Sequence, residues 1–277
     1  MAFLRMDLFS KSLMRTVPVS VIIPADKFHF PEDEKEEITA YKTLYLLHGV
    51  FGSDMDWLTG TGIMRYAEEH DLAVVMPAGE NAFYLDQPEA HNLYGEFIGR
   101  ELVGLTRKIF PLSSEKSDTY IGGLSMGGYG AMRNGLKYCD TFGCILALSG
   151  AYITKDIAER KNETPFFLER RDYAERCFGA LDKVGRSDKN PEYIIEKIRE
   201  DGREMPRIYM ACGEQDRLFG GNREFAEFAR KNGADITFEV GKGNHEWDFW
   251  DAYIKRGIEW LQIKNSGLGV GSGNIGI

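Results

Sequence analysis

Two stretches of this chain, Thr43-Leu44-Tyr45-Leu46-Leu47 and Leu72-Ala73-Val74-Val75-Met76, are uninterrupted apolar runs, the second closed by Pro77. A strand with one wet face alternates apolar and polar residues. Runs without that alternation read as strands buried on both faces, which belong to parallel sheets covered by helices. Further strand patterns lie at 118–123, 143–149, 207–212 and 236–240. Helical patterns separate them: Met55 to His70, Leu93 to Phe110 (stopped by Pro111), 127–138, 222–232 and 246–262. Strand and helix in alternation predict an α/β fold with a mostly parallel central sheet flanked by helices. The opening strands, Phe3 to Phe9 and Arg15 to Ile23, have no helix between them and are expected to pair antiparallel at one edge.

The rhythm breaks over 152–205, a stretch rich in charge and aromatics that includes Phe166, Phe167, Arg170, Arg171, Tyr173 and Phe178. It reads as a helical, cap-like insertion over the strand ends, where loops shape the pocket of such a sheet. Residues 1–264 then form a single domain, and 265–277 a flexible Gly- and Ser-rich tail. Pro31 to Glu37 reads as a solvated acidic loop. The tail's Gly271-Ser272-Gly273-Asn274-Ile275-Gly276 matches a dinucleotide fingerprint in spelling only, because no strand precedes it. A net charge of -9 argues against a nucleic-acid partner. No apolar stretch approaches a membrane span, and the charged N-terminus does not read as a signal peptide. The four cysteines form no Cys-x-x-Cys pair and read as buried thiols in a reducing compartment, so a cytoplasmic location is expected.

Chemistry enters at Gly123-Leu124-Ser125-Met126-Gly127, a Gly-x-Ser-x-Gly motif between a strand pattern and a helix pattern. That context makes a nucleophile elbow, a turn so sharp that side chains two residues either side of the serine would collide with neighbouring backbone. A serine hydroxyl needs a base, and the base needs an acid that fixes its tautomer. After such an elbow the partners follow in the order acid, then histidine. Of five histidines only His245 comes after Ser125. Asp216, in the loop after the strand at 207–212, is the candidate acid, with Glu214 as the fallback. Asp235 lies at the opposite end of the sheet. The oxyanion needs backbone donors. The Met126 N–H is one candidate; the other lies in His48-Gly49-Val50-Phe51, with Val50 first and Phe51 second. His48 reads as a structural residue holding that loop.

Phe51, Trp57, Phe83, Tyr84 and Tyr94 all fall near loops that should surround Ser125. Of these, Phe51, Trp57 and Tyr84 are the substrate-binding candidates. An aromatic wall suits an acyl group, or equally a sugar or phenolic alcohol.

The ordered set of motifs resembles the α/β-hydrolase enzymes. More narrowly, it is similar to bacterial tributyrin esterases, which are related to S-formylglutathione hydrolases and to some feruloyl and acetylxylan esterases. The carrying residues are Leu46-Leu47-His48-Gly49 with Trp57 following, Asn81-Ala82-Phe83-Tyr84, Gly123 to Gly130, Cys212-Gly213-Glu214-Gln215-Asp216 and Gly243-Asn244-His245-Glu246-Trp247. Together they span most of residues 1–262. The resemblance implies hydrolysis of short-chain (acetyl or butyryl) carboxylic esters through an acyl-enzyme, with no metal and no organic cofactor. S-formylglutathione hydrolases carry a cysteine shortly after the oxyanion glycine; here the stretch reads Val50-Phe51-Gly52-Ser53. The expected partner is a small-molecule ester. Acyl transfer to an acceptor other than water and homo-oligomer formation stay open; the intact set of serine, acid and histidine counts against a non-catalytic binding scaffold.

Overall fold

A computed structural model describes residues 1–28 and 38–274, so the acidic loop at 31–37 lies outside the described residues. The chain opens with β1 (Ala2–Ser10) and β2 (Arg15–Ile23), an antiparallel pair. Then come β3 (Lys42–Leu47), α1 (Asp56–Gly60), α2 (Ile63–Glu69) and β4 (Leu72–Pro77). A short hairpin of β5 (Asp86–Gln87) and β6 (Asn92–Leu93) follows. It leads into α3 (Tyr94–Glu96), a π-helical turn at Phe97–Glu101, and α4 (Leu102–Ile109). Next are β7 (Thr119–Leu124), α5 (Met126–Lys137) and β8 (Cys144–Leu148). An excursion carries α6 (Arg171–Phe178) and α7 (Pro191–Glu200) among shorter turns. The chain closes with β9 (Arg207–Gly213), α8 (Phe219–Lys231), β10 (Ile236–Gly241) and α9 (Trp247–Trp260).

The large sheet runs in the order β1-β2-β4-β3-β7-β8-β9-β10. From β4 to β10 every pairing is parallel; β2 joins β4 antiparallel. The apolar runs follow from this arrangement. In β8, Ile145 and Ala147 join one buried cluster while Cys144, Leu146 and Leu148 join another. Successive side chains point to opposite faces, and helices cover both, so the central strands are largely apolar, and the buried Thr43 and Thr119 have hydrogen-bonded hydroxyls.

Two helix readings change. The helix expected over 55–70 is two helices, because Thr61 is extended, its hydroxyl bonds the Trp57 carbonyl, and the Gly62 N–H donates to Asp251 Oδ1 at 2.7 Å. The helix expected over 93–110 carries the π-helical turn between α3 and α4. Residues 265–274, where the sequence suggests a tail, lie against α2: the Ser266 N–H donates to Glu69 O and the Gly271 N–H to Glu68 Oε2. All four cysteines are buried free thiols. No helix among the described residues is long and apolar enough to cross a membrane.

Candidate active site

The elbow sits where β7 ends and α5 begins, in the centre of the sheet. Ser125 has φ 54° and ψ -118°, a strained conformation for a side-chain-bearing residue. Bonds at both ends hold it there. Its N–H donates to Leu148 O at 2.9 Å, and its carbonyl accepts from the N–H groups of Tyr129 and Ala151. The flanking glycines are required by close approach: a Cβ on Gly123 would overlap the Gly127 carbonyl, and one on Gly127 the carbonyls of Leu47 and His48. The loop after β3 is therefore pressed directly onto the elbow.

Three side chains converge on this point. His245 Nε2 lies 3.0 Å from Ser125 Oγ, and His245 Nδ1 lies 2.9 Å from Asp216 Oδ2. A carboxylate only accepts, so Nδ1 carries the proton and Nε2 faces the serine hydroxyl as an acceptor. The loops that bring in the acid and the histidine are cross-bonded. The Gln215 N–H donates to Gly243 O at 3.1 Å, and the Gly243 N–H donates to Gln215 Oε1 at 2.9 Å. Glu214 is exposed and Asp235 pairs with Arg207, so neither competes for the histidine.

Burial by itself pushes the Asp216 carboxyl up. Hydrogen bonds from His245, the Leu218 N–H and Ser149 outweigh it and hold the acid below the usual carboxylate range. The acid is thus ionised at neutral pH and able to stabilise an imidazolium. Its neighbour Cys212 is pushed up to about 12 by burial and stays a neutral thiol. Ser149 and Trp250 extend the chain outward. Trp250 Nε1 donates to Ser149 Oγ at 3.1 Å, and the Trp250 ring meets the His245 ring edge-on at 4.9 Å. Sequence reasoning passed over both; the only signal was a tryptophan in the first turns of the helix after His245.

On the other side of Ser125 the His48 loop is pinned by its own histidine. The Gly79 N–H donates to His48 Nε2 at 2.8 Å, which leaves Nδ1 to donate to Gly49 O at 2.6 Å. Burial lowers the His48 pKa, so the ring is neutral and can hold both bonds. The Phe51 N–H is consumed by Asn81 Oδ1 at 2.8 Å. Among the described residues, no protein acceptor takes the N–H of Val50 or of Met126, and both residues border the space beside Ser125. Two free N–H groups near a nucleophile can hold a developing oxyanion.

The expected aromatic wall is only partly there. Phe51 is 67% exposed and stands at the mouth with φ 66°. Trp57 and Tyr84 do not line the site: they are 1% and 0% exposed. Their polar tips explain the difference. Trp57 Nε1 donates to Leu47 O and the Tyr84 hydroxyl to His48 O, so each ring packs in the core and props the oxyanion loop from beneath. Tyr94 is buried as well. The walls come instead from Phe83, from Ile153, Phe166 and Leu168 of the stretch between β8 and β9, and from Trp247 and Trp250. That stretch is fastened to α5 by the buried Arg133, paired with Asp86 and Asp188, and by the Tyr129 hydroxyl on Lys189 O.

Over most of its length the chain is similar to known esterases and serine hydrolases. The Esterase family model, described as "Putative esterase", matches residues 10–261. An acetyl esterase of Caldicellulosiruptor saccharolyticus is 40% identical over 261 residues, covering 94% of this chain and 98% of that protein. The Staphylococcus aureus fluorophosphonate-binding serine hydrolase FphF superposes with a TM-score of 0.81 at 30% identity, over 94% of this chain and 98% of its own. The S-formylglutathione hydrolase FrmB of the same organism gives 0.79 at 30% identity, with the same coverage. With a serine on a strained turn, an imidazole within hydrogen-bond reach of it and a sheet shared with these enzymes, the chain belongs to the Esterase family and is a serine carboxylic ester hydrolase of the α/β-hydrolase fold.

Proposed function

We propose that the protein hydrolyses short-chain acyl esters through an acyl-enzyme on Ser125, with His245 as the proton carrier and Asp216 as its orienting acid. The observation that carries this reading is the unbroken chain from Ser125 Oγ through His245 to Asp216. Ser125 Oγ attacks the ester carbonyl carbon while its proton passes to His245 Nε2. The Asp216 carboxylate stabilises the imidazolium so formed. The oxyanion takes the N–H groups of Val50 and Met126. Collapse breaks the bond to the alcohol oxygen, which leaves with the proton from Nε2. Water then repeats the sequence and frees the acid. The acetyl esterase relative supports a small acyl group. The four buried thiols support a reducing, cytoplasmic setting.

Initial rates on acetyl, butyryl and octanoyl p-nitrophenyl esters test the reading, with wild type and Ser125→Ala in parallel. Serine-dependent turnover that peaks at the short chains is expected. Equal rates for the two proteins, or a peak at octanoyl, would overturn it.

A further inference from the structure

The space around Ser125 divides into two lobes, and their walls differ in one decisive residue. The larger lobe, about 580 Å³, has His245 in its wall, with Gly49, Phe51, Trp247 and Trp250. The smaller, about 220 Å³, lacks His245 and is closed by Phe83, Met126, Ala151, Ile153 and Leu218. A general acid must reach the oxygen that departs, so the alcohol has to lie on the imidazole side. The acyl chain is then left with the smaller lobe. Pockets for drug-sized molecules span about 300–1,000 Å³. The larger lobe falls within that range and the smaller below it.

The larger lobe also ends in exposed rings. Phe51 is 67% exposed and meets Phe167, itself 40% exposed, edge-on at 5.9 Å. The half-buried Trp247 and the buried Trp250 stand perpendicular at 5.2 Å on the same wall as His245. Exposed aromatic groups beside a nucleophile present flat apolar faces, which suit another ring.

From this we infer that the lobes sort the ester: a short acyl chain enters against Ile153, and an alcohol carrying a ring lies along Phe51 and Trp247. The ring is a phenol, or a sugar whose C–H face packs on the aromatics. An ester of the opposite polarity, an aromatic acid on a small alcohol, puts its ring in the lobe too small for it. This inference rests on the esterase reading above.

The test sets 2-naphthyl acetate and an acetylated xyloside against ethyl acetate and methyl ferulate, with wild type, Ile153→Ala, Ile153→Phe and Phe51→Ala. Thermal melting checks that each variant folds. Wild type is expected to favour one or both ring-bearing acetates over ethyl acetate and methyl ferulate in kcat/KM; which of the two leads separates the phenolic from the glycosyl source. Ile153→Ala should raise the hexanoyl-to-acetyl ratio about tenfold on p-nitrophenyl esters, and Ile153→Phe should lower the butyryl-to-acetyl ratio by a similar factor. Phe51→Ala should cost about five- to tenfold on the ring-bearing acetates and much less on ethyl acetate. Wild-type preference for methyl ferulate, or an acyl profile that both Ile153 variants leave in place, overturns the sorting. Ser125-dependent hydrolysis of phenyl acetate, run alongside, reports on the esterase reading separately. If it persists while the sorting fails, only the sorting is lost; its absence removes both.

Discussion

The elbow and the stretch between β8 and β9 border the same space, yet they are built in opposite ways. At the elbow, β7 is buried throughout and α5 along eleven of its twelve residues, and neighbouring carbonyls leave no room for side chains at Gly123 and Gly127. The excursion consists of short turns and two helices, half of it exposed, attached by core side chains such as Phe178, Ile195 and Ile198 and by ion pairs and single hydrogen bonds. One region holds the Ser125 hydroxyl in place, and its geometry comes from a tight turn clamped by close-packed backbone of the neighbouring strands and loops. The other decides what fits, and its geometry comes from contacts distant in sequence. Damage to the first should abolish chemistry; damage to the second should redirect it.

The largest effect that would sharpen this contrast is at the reacting atoms. Ser125→Ala or His245→Ala should lower kcat by at least about 10⁴-fold, and the double variant should be no worse than either alone, because the two act as a unit. Steady-state rates on p-nitrophenyl acetate check both points; additive losses would separate the two residues. Next comes Asp216→Asn, which preserves shape but permits the wrong tautomer of His245. A loss of about 10³–10⁴-fold in kcat with little change in KM is expected.

His48 gives an intermediate effect and a pH signature. His48→Asn should lower kcat about 10–100-fold through the displaced Val50 N–H, with a smaller change in KM. The folded pKa of His48 lies below its ordinary 6.5 because the ring is buried. Below pH 6.5 the unfolded chain takes up a proton at this ring that the folded chain refuses, so stability falls as pH drops toward the folded pKa. Melting curves between pH 7 and pH 5 should therefore fall more steeply for wild type than for His48→Asn. Parallel curves would contradict a neutral, buried His48.

The smallest effects belong to the two aromatics that face inward. Tyr84→Phe should cost about 1 kcal/mol through one lost hydrogen bond, or roughly 2–4 °C in Tm, and Trp57→Phe about 2–3 kcal/mol because buried ring volume is lost as well, each with KM unaltered. A raised KM without a lowered Tm would return them to the substrate wall.

How much of this was legible in the sequence follows the same division. The parallel sheet was readable because doubly buried strands are largely apolar, and its antiparallel edge because no helix separates the first two strands. That Ser125, Asp216 and His245 meet was readable because the elbow's spacing is local and the order of its partners follows from the sheet. The break at Thr61 was not readable: it depends on Asp251, far along the chain. Trp57 and Tyr84 were misjudged because an aromatic next to a functional loop can point to either side. Here the carbonyls of Leu47 and His48 lay on the inner side to receive the polar tips. Ile153 and Leu168 carried no signal, since a stretch of short turns has no periodicity to reveal which residues face a pocket.

In the proposed reaction Ser125 carries the acyl group between two proton transfers by His245. Mass spectrometry of digested protein, quenched during turnover of p-nitrophenyl acetate, tests it most directly. The expected result is one acetyl increment on the peptide containing Ser125, more abundant in Asp216→Asn where water attack is slowed, and none in Ser125→Ala. An acetyl group on another residue, or ester turnover that survives in Ser125→Ala, would contradict it.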